Sequence, residues 1–227
     1  MRSFVHEARR PVGRRRDRIR PIIERLAVEH ADARIALNFR NELELLVSVM
    51  LSAQTTDVNV NRVTEHLFKK YRRPEDYLAV PQEELERDVY ATGFFRQKAK
   101  SLRGTMRVLL EEFDGRVPRT IPELLRLPGV ARKTANVVRG VIWGLADGVV
   151  VDTHVGRIAA RLGWTRHEAP EKIEKDLMEL HPRDKWIGLA HVLIHHGRGL
   201  CLARKPRCAD CPVRDRCPSS EAPAEPL

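Results

Sequence analysis

The chain has 227 residues, of which 42% are hydrophobic, so it can build one large domain or two small ones without disulfide support. Lysine and arginine number 41 against 31 carboxylates, giving a formal net charge of +10 and a sequence pI near 9.9. This balance favours a polyanionic partner such as nucleic acid or an acidic membrane surface. The sequence has no apolar run of the length that a secretory signal or a membrane span needs, which argues against both.

Positive charge is concentrated at the start of the sequence. The first twenty residues hold eight arginines against Glu7 and Asp17, so they carry +6 of the net charge. We predict that residues 1–20 form a flexible basic arm that adds non-specific phosphate contacts. A mitochondrial presequence is the alternative, although Pro11 and Gly13 would interrupt the amphipathic helix that it needs.

Apolar residues recur at helical spacing along nearly the whole chain, and only residues 149–151 read as extended or buried. The sequence therefore predicts an all-α fold. Thr120 and Glu123 have the spacing of a capping box, and Pro170 marks another helix start. The predicted helices span residues 43–51, 58–68, 102–113, 121–127 and 130–142. Two short helices marked by Pro74 and Pro81 lie between the second and third of these, and three more helices start near residues 153, 170 and 186.

Residues 121–142 predict a helix, a four-residue hairpin and a second helix, with the sequence LPGVARKTANVV at 127–138. Such a hairpin points backbone N–H groups and a positive helix N-terminus outward, which suits a DNA phosphate. On the second helix, Lys133 is predicted at the edge of the buried stripe, about 40° from Val137. Partial desolvation there would lower its pKa and expose a neutral amine that can form a Schiff base. The alternative is a solvated lysine that contacts phosphate. The predicted stripe consists of Val130, Thr134, Val137, Val138, Val141 and Ile142.

Asp152 follows the valine run and precedes a predicted helix in the segment VDTHVGR at 151–157. The simplest interpretation is a helix N-cap. A capping carboxylate is also fixed in place and held ionised by the helix dipole, so it can stabilise positive charge on a deoxyribose C1′ or assist proton transfer.

All four cysteines lie within seventeen residues, in a pattern C-x6-C-x2-C-x5-C that indicates a metal or cluster site in a reducing compartment. The spacing alone leaves zinc and a four-iron, four-sulfur cluster open. A bound metal would fix the intervening basic loop in a form suited to phosphates. The histidines at 191 and 195 have no further ligand nearby and are interpreted as packing or hydrogen-bonding residues. The cysteines are Cys201, Cys208, Cys211 and Cys217, and the basic residues of the loop are Arg204, Lys205 and Arg207.

Five segments, taken together and in this order, resemble the endonuclease III family of DNA glycosylase/lyases. They are LSAQTTD at 51–57, GFFRQKAK at 93–100, LPGVARKTANVV, VDTHVGR, and HGRGLCLARKPRC at 196–208. The resemblance covers residues 20–217. It implies two helical domains that flank a DNA cleft, and one 4Fe-4S cluster held by the four cysteines. The implied domains are a six-helix barrel over 36–144 that contains the helix-hairpin-helix, and a cluster domain over 21–35 and 145–217. The three prolines in the last ten residues separately predict a disordered tail over 218–227.

The resemblance also implies the roles of individual residues. Lys133 matches the family's nucleophile and Asp152 its catalytic carboxylate. Gln54 matches the residue that fills the gap left by a flipped nucleotide, and Phe94 the apolar wedge beside it. The predicted DNA contacts of the hairpin and of the cysteine loop are Gly129, Ala131, Arg132 and Thr134, and Arg204, Lys205 and Arg207.

The expected function is bifunctional base excision repair. The partner is double-stranded DNA with an oxidised pyrimidine or an abasic site, and the strand is nicked by β-elimination. A monomer in a bacterial cytoplasm, associated with the nucleoid and not with a membrane, is expected. A mismatch adenine glycosylase would need a glutamate near position 54, where this chain has glutamine, and would lack the hairpin lysine. A non-catalytic DNA-binding iron-sulfur protein is the alternative from another class.

Three departures from the family pattern bear on efficiency. Ala131 stands where the hairpin usually has a second glycine, Gly156 replaces a bulky residue, and Phe94 is larger than the common leucine. We expect Ala131 to affect the fit to phosphate, and the other two to affect the shape of the cleft.

Overall fold

The computed structural model describes residues 10–221, and all regular elements in that range are helical, which confirms the all-α prediction. The chain divides into two compact units. The first unit comprises Met1–Ile35 and Ala146–Leu227, and the second comprises Ala36–Leu145. The α-helices are α1 (Arg15–Glu29), α2 (Glu42–Leu51), α3 (Asp57–Lys70), α4 (Pro74–Ala79), α5 (Gln82–Val89), α6 (Phe95–Glu112), α7 (Ile121–Leu124), α8 (Arg132–Trp143), α9 (Thr153–Arg161), α10 (Pro170–Leu180) and α11 (Trp186–Gly199).

The second unit contains α2 to α8 and is built around the strongly apolar helix α2 and the amphipathic helix α6. Helix α2 is buried along most of its length, and Asn41 caps its N-terminus by accepting a hydrogen bond from the Glu44 N–H at 2.9 Å. Helix α6 buries one face at helical spacing. The predicted capping box is confirmed, since Thr120 and Glu123 hold the start of α7. The fully buried apolar residues of α2 and α6 are Leu45, Leu46, Val47, Leu51, Ala99, Leu102, Met106 and Leu109.

The first unit packs α1, α9, α10 and α11 around the fully buried Trp164. Helix α10 starts at Pro170, as the sequence predicts, because proline fits the first turn of a helix, where a backbone N–H has no intrahelical acceptor. In the described part of the chain, no helix is both long enough and apolar enough to cross a membrane. The other core residues include Ile22, Leu26, Val155, Ile158, Leu162, Leu177, Leu189 and Leu193.

The predicted flexible arm is wrong for its last residues, because α1 begins at Arg15. Arg18 is only 5% exposed, and its guanidinium donates to the carbonyl oxygens of Leu162 at 3.1 Å and Arg216 at 2.8 Å. This arginine therefore anchors the helix in the first unit and is not available to a phosphate. Residues 1–9 of the predicted arm lie outside the described residues.

The predicted disordered tail also differs from the structure at its start. The Pro218 carbonyl accepts a hydrogen bond from the Arg10 N–H at 2.8 Å, and Ser220 is buried. Residues 222–227 lie outside the described part of the chain.

His181 makes the stability of the first unit pH-dependent. Its ring lies edge-on against Trp164, with centroids 4.9 Å apart, and burial lowers its pKa to about 4. Because histidine in the unfolded chain titrates near pH 6.5, protonation favours unfolding, so stability present above that pH is lost as the pH falls towards 4. We expect the free energy of unfolding to fall over this range by about 3 kcal/mol more in the wild type than in His181→Phe.

Urea unfolding at a series of pH values measures this difference. Phenylalanine keeps the ring contact with Trp164, and among the described residues the His181 Nε2 atom has no hydrogen-bond partner to lose. Parallel pH curves for the two proteins would contradict the assignment.

Candidate functional site

The helix-hairpin-helix lies in the second unit, where α7 and α8 are joined by a tight turn. The Val130 N–H donates to the Leu127 carbonyl at 3.0 Å and closes the turn. Helix α6 supports the turn from below, because the Thr105 hydroxyl donates to the Pro128 carbonyl at 2.7 Å. The turn is therefore anchored to a long buried helix, which makes it a rigid support.

Gly129 is required at the tip of this turn for two reasons. Its φ is +81°, a left-handed conformation that L side chains rarely adopt. A Cβ atom at this position would also lie 2.7 Å from the Ser101 Cβ and 2.9 Å from its hydroxyl oxygen. The hairpin thus approaches α6 more closely than any residue with a side chain allows.

Ala131 precedes α8 and has an extended backbone, with φ −92° and ψ 167°. Any residue adopts this conformation, so the alanine at the usual position of the second glycine strains nothing in the hairpin. The N-cap residue Ala131 has no polar side chain with which to cap α8, and Ala131 and Arg132 are exposed. An exposed helix N-terminus can accept an anion.

Lys133 is exposed on the first turn of α8, so the partial burial predicted from the helical stripe is wrong. Within the predicted stripe, Val130 and Val138 are buried, but Thr134 and Val137 are only half-buried. The residues of α8 that are buried instead are Ala135, Asn136 and Gly140.

Gln54 and Phe94 lie on two loops of the second unit and share an unusual backbone conformation. Gln54 follows α2 with φ +56°, and Phe94 immediately precedes α6 with φ +48°. Both are exposed, and Phe94 has 64% of its surface accessible. Left-handed non-glycine residues are uncommon and often occur at functional sites.

Asp152 lies in the first unit and caps α9, as the sequence predicts. Its Oδ1 atom accepts hydrogen bonds from the N–H groups of His154 and Val155, both at 2.8 Å. The carboxylate is half-buried, and two backbone donors fix its orientation. One carboxylate is therefore held in one geometry at the positive end of a helix.

Gly156 lies inside α9 with space for a methyl group. A Cβ atom there would meet the Ile173 Cδ1 at 3.5 Å, an ordinary contact distance. We expect Gly156→Ala to raise the stability by about 0.5–1 kcal/mol, because alanine loses less backbone entropy in a helix. Gly188→Ala in α11, where nothing lies within 4 Å, is the matched control. Thermal unfolding should show similar gains for both variants, and a loss confined to position 156 would contradict the prediction.

The four cysteines of the first unit line one pocket, and none forms a disulfide. Burial raises the pKa of Cys211 to about 11 and that of Cys217 to about 12. Thiolates at these positions therefore need a compensating positive charge, which iron ions supply.

Two arginines of α9 bind the start of the cysteine loop. Arg157 donates to the carbonyl oxygens of Cys201 at 3.0 Å and Gly197 at 2.9 Å. Arg161, one turn later, donates to the Cys201 sulfur at 3.4 Å and to the Leu202 carbonyl at 2.7 Å. Both side chains are 6% exposed. The helix that Asp152 caps is thus joined to the cysteine loop by buried hydrogen bonds.

The basic residues of the loop are exposed, as expected for phosphate contacts. Arg204 and Lys205 lie on the surface, and Lys205 has φ +51°. Arg207 pairs with Asp210 at 2.8 Å, but both side chains are more than half exposed, so this pair contributes little stability.

Sequence reasoning missed the residues that support the site. Lys98, Arg157 and Arg161 are charged but buried, and each donates to main-chain carbonyls of distant segments. Lys98 falls within GFFRQKAK, a segment in which the family resemblance gives a role to Phe94 alone. The interpretation of His195 as a hydrogen-bonding residue agrees with its Nε2 atom lying 3.0 Å from the Arg34 carbonyl oxygen.

Two family models match segments of this chain. Residues 47–183 match the HhH-GPD superfamily of base excision DNA repair proteins. Residues 201–217 match the iron-sulfur binding domain of endonuclease III, which confirms the prediction of one 4Fe-4S cluster.

Relatives match most of the chain. Endonuclease III of Synechocystis sp. is 44% identical over 213 residues, 94% of this chain and 97% of the relative. Endonuclease III of Bacillus subtilis is 49% identical over 178 residues, 78% of this chain and 81% of the relative. A solved structure of a trapped endonuclease III–DNA covalent intermediate has a TM-score of 0.86 and 43% identity, covering 91% of this chain and 97% of that one. The chain therefore belongs to the endonuclease III family, the DNA glycosylases with AP lyase activity that act in base excision repair.

Proposed function

We propose that this enzyme removes oxidised pyrimidines from double-stranded DNA with Lys133 as its nucleophile. The observation that carries the proposal is the exposed Lys133 amine on the first turn of α8, at an exposed helix N-terminus of the kind that can hold a phosphate. A DNA strand bound there by its backbone lies within reach of the amine. The trapped covalent intermediate of a relative supports a covalent step.

The chemistry follows from these groups. The Lys133 nitrogen attacks the deoxyribose C1′, the bond from C1′ to the base breaks, and the base leaves with a proton. Ring opening gives an imine between Lys133 and C1′. Loss of a C2′ proton then breaks the bond from C3′ to its oxygen, which nicks the strand, and water releases the lysine. Asp152 stabilises the positive charge that develops at C1′ and assists proton transfer.

The remaining predicted residues bind DNA. Gln54 fills the gap left by the extruded nucleotide, and Phe94 wedges beside it. Gly129, Ala131, Arg132 and Thr134 contact phosphate in the second unit, which serves as the helix-hairpin-helix domain. Arg204, Lys205 and Arg207 contact phosphate in the first unit, which serves as the cluster domain. We place the enzyme, as a monomer, in the bacterial cytoplasm at the nucleoid, in line with its bacterial relatives.

Cys201, Cys208, Cys211 and Cys217 hold the cluster, whose role is to order the basic loop. We expect brown protein with about four iron and four sulfide per chain, and Cys217→Ser to lower both. Metal analysis with visible absorption measures this. Stoichiometric zinc without visible absorption, or full iron content in Cys217→Ser, would contradict the ligand assignment.

Borohydride trapping tests the nucleophile. The wild type is incubated with a labelled duplex that carries an abasic site, reduced, and resolved on a denaturing gel. We expect a covalent adduct from the wild type and from Lys100→Gln, an exposed lysine on α6, and none from Lys133→Gln. An undiminished adduct from Lys133→Gln would refute the assignment, and no adduct from the wild type would favour a non-catalytic protein.

A lesion panel tests the substrate class. Duplexes with thymine glycol, 8-oxoguanine or an adenine mismatch are compared at one stated salt concentration, because DNA affinity depends strongly on salt. Preferred cleavage of thymine glycol supports the proposal, and preferred removal of mismatched adenine would overturn it.

A further inference from the structure

Two exposed residues of the second unit, Gln54 and Phe94, keep a left-handed backbone that a free loop would avoid. Such a conformation persists only when surrounding contacts hold it. Two side chains, Lys98 and Asn59, donate hydrogen bonds to residues near Gln54 and Phe94, and each of them connects the two loops to each other.

Lys98 is the first connection. It is 8% exposed, and its Nζ atom donates to the Leu51 carbonyl at 2.8 Å and to the Thr92 carbonyl at 2.7 Å. Leu51 ends α2 three residues before Gln54, and Thr92 lies two residues before Phe94. A buried lysine is unfavourable unless its hydrogen bonds compensate, and burial lowers its pKa. The two carbonyl oxygens therefore hold Lys98, and Lys98 holds both loops.

Asn59 is the second connection, on the other side of Gln54. Its Nδ2 atom donates to the Thr55 hydroxyl at 2.9 Å and to the Ala91 carbonyl at 2.7 Å. Thr55 is the residue after Gln54. The loop of Gln54 is thus joined to the loop of Phe94 by one connection before Gln54, at Leu51, and by one after it, at Thr55. On the other loop, both connections lie before Phe94, at Thr92 and Ala91.

We propose that Lys98 and Asn59 are positioning residues that set the spacing of Gln54 and Phe94 before DNA binds, so that both enter the duplex as one rigid unit. The inference rests on the DNA-inserting roles proposed above for these two residues. Preformed loops lose little conformational entropy when they enter the base stack, and this favours the complex with opened DNA. Loss of one connection should therefore weaken base extrusion, while chemistry on an already accessible sugar is unaffected.

Asn59→Ala is the main test, because Asn59 is only half-buried and its loss leaves the core intact. The control is Asn61→Ala on the same helix, which removes two hydrogen bonds, to the Ala36 carbonyl and the Asn38 N–H, both at 2.8 Å. Asn59→Ala removes its two bonds to the loops and a third, which the Asn59 Oδ1 accepts from Arg62 at 2.8 Å. Lys98→Met and Lys98→Arg form the second pair. Methionine keeps the stem of the side chain, whereas arginine can restore donors to both carbonyl oxygens.

Opening of the duplex is measured by the fluorescence of 2-aminopurine placed next to an abasic site, in a Lys133→Gln background that performs no lyase chemistry. We expect Asn59→Ala to lower the equilibrium for opening about tenfold, and Asn61→Ala to leave it unchanged. An unchanged 2-aminopurine fluorescence in Asn59→Ala overturns the proposal, whether or not Lys133 is the nucleophile. Recovery in Lys98→Arg relative to Lys98→Met supports it.

Two activity measurements separate positioning from general damage. With Lys133 present, Asn59→Ala should slow base removal from a duplex and leave cleavage of a single-stranded abasic oligonucleotide unchanged. In a Gln54→Ala, Phe94→Ala background, Asn59→Ala should have no further effect. Equal loss on both substrates, or a full additional loss in that background, would overturn the proposal.

Discussion

Replacing Asp152 with asparagine is expected to slow base removal about 10²–10⁴-fold and to leave the stability within about 0.5 kcal/mol of the wild type. Asparagine keeps an oxygen that can accept the hydrogen bonds of His154 and Val155, and it is as good an N-cap as aspartate. It removes only the negative charge. Single-turnover base excision and urea unfolding of the two proteins measure the two quantities.

Two alanine variants complete the test. Asp152→Ala should lose the same activity and, in addition, about 1 kcal/mol of stability, because the cap is lost. Asn41→Ala removes the cap of α2 and should lower stability without slowing base removal. If Asp152→Asn retained the wild-type rate, capping would be the whole role of this residue.

The features that could be predicted from sequence obey local rules. The capping box at Thr120, the cap at Asp152 and the helix start at Pro170 each depend on residues within four positions, so the residue types alone determine them. Helical spacing of apolar residues likewise predicted an all-α chain. Family resemblance, and not spacing, decided between zinc and a cluster, and the match of residues 201–217 to the iron-sulfur binding domain of endonuclease III agrees with it.

The features that could not be predicted depend on distant segments. Lys98 donates to a carbonyl 47 residues away, and the two acceptors of Arg18 are 144 and 198 residues away. No window along the chain contains both partners of such a contact. The predicted buried face of α8 was wrong for the same reason. A helical wheel shows which faces of a helix are apolar, but it does not show which face a neighbouring helix contacts. Lys133 is exposed, so its proposed role as nucleophile depends on its position beside the hairpin and not on burial.

Gly129→Ala is expected to lower the stability by about 3 kcal/mol and to weaken DNA binding about 10–100-fold. The added Cβ would lie 2.7 Å from the Ser101 Cβ, so the hairpin must move away from α6, and the left-handed backbone adds further strain. Movement of the hairpin displaces the N–H groups proposed to bind phosphate. Urea unfolding and DNA binding at one fixed salt concentration measure the two effects.

Two further variants separate strain from steric clash at Gly129. Gly144, at the other end of α8, has a φ of +66°, and a Cβ atom added there would meet no atom within 4 Å. Gly144→Ala should therefore cost about 1 kcal/mol from backbone strain alone, with DNA binding unchanged. In Gly129→Ala, adding Ser101→Gly removes the clashing atoms and should restore most of the DNA affinity while the strain of the left-handed backbone stays. Failure of Ser101→Gly to restore binding would show that Gly129 contributes through its backbone conformation and not through its close approach to α6.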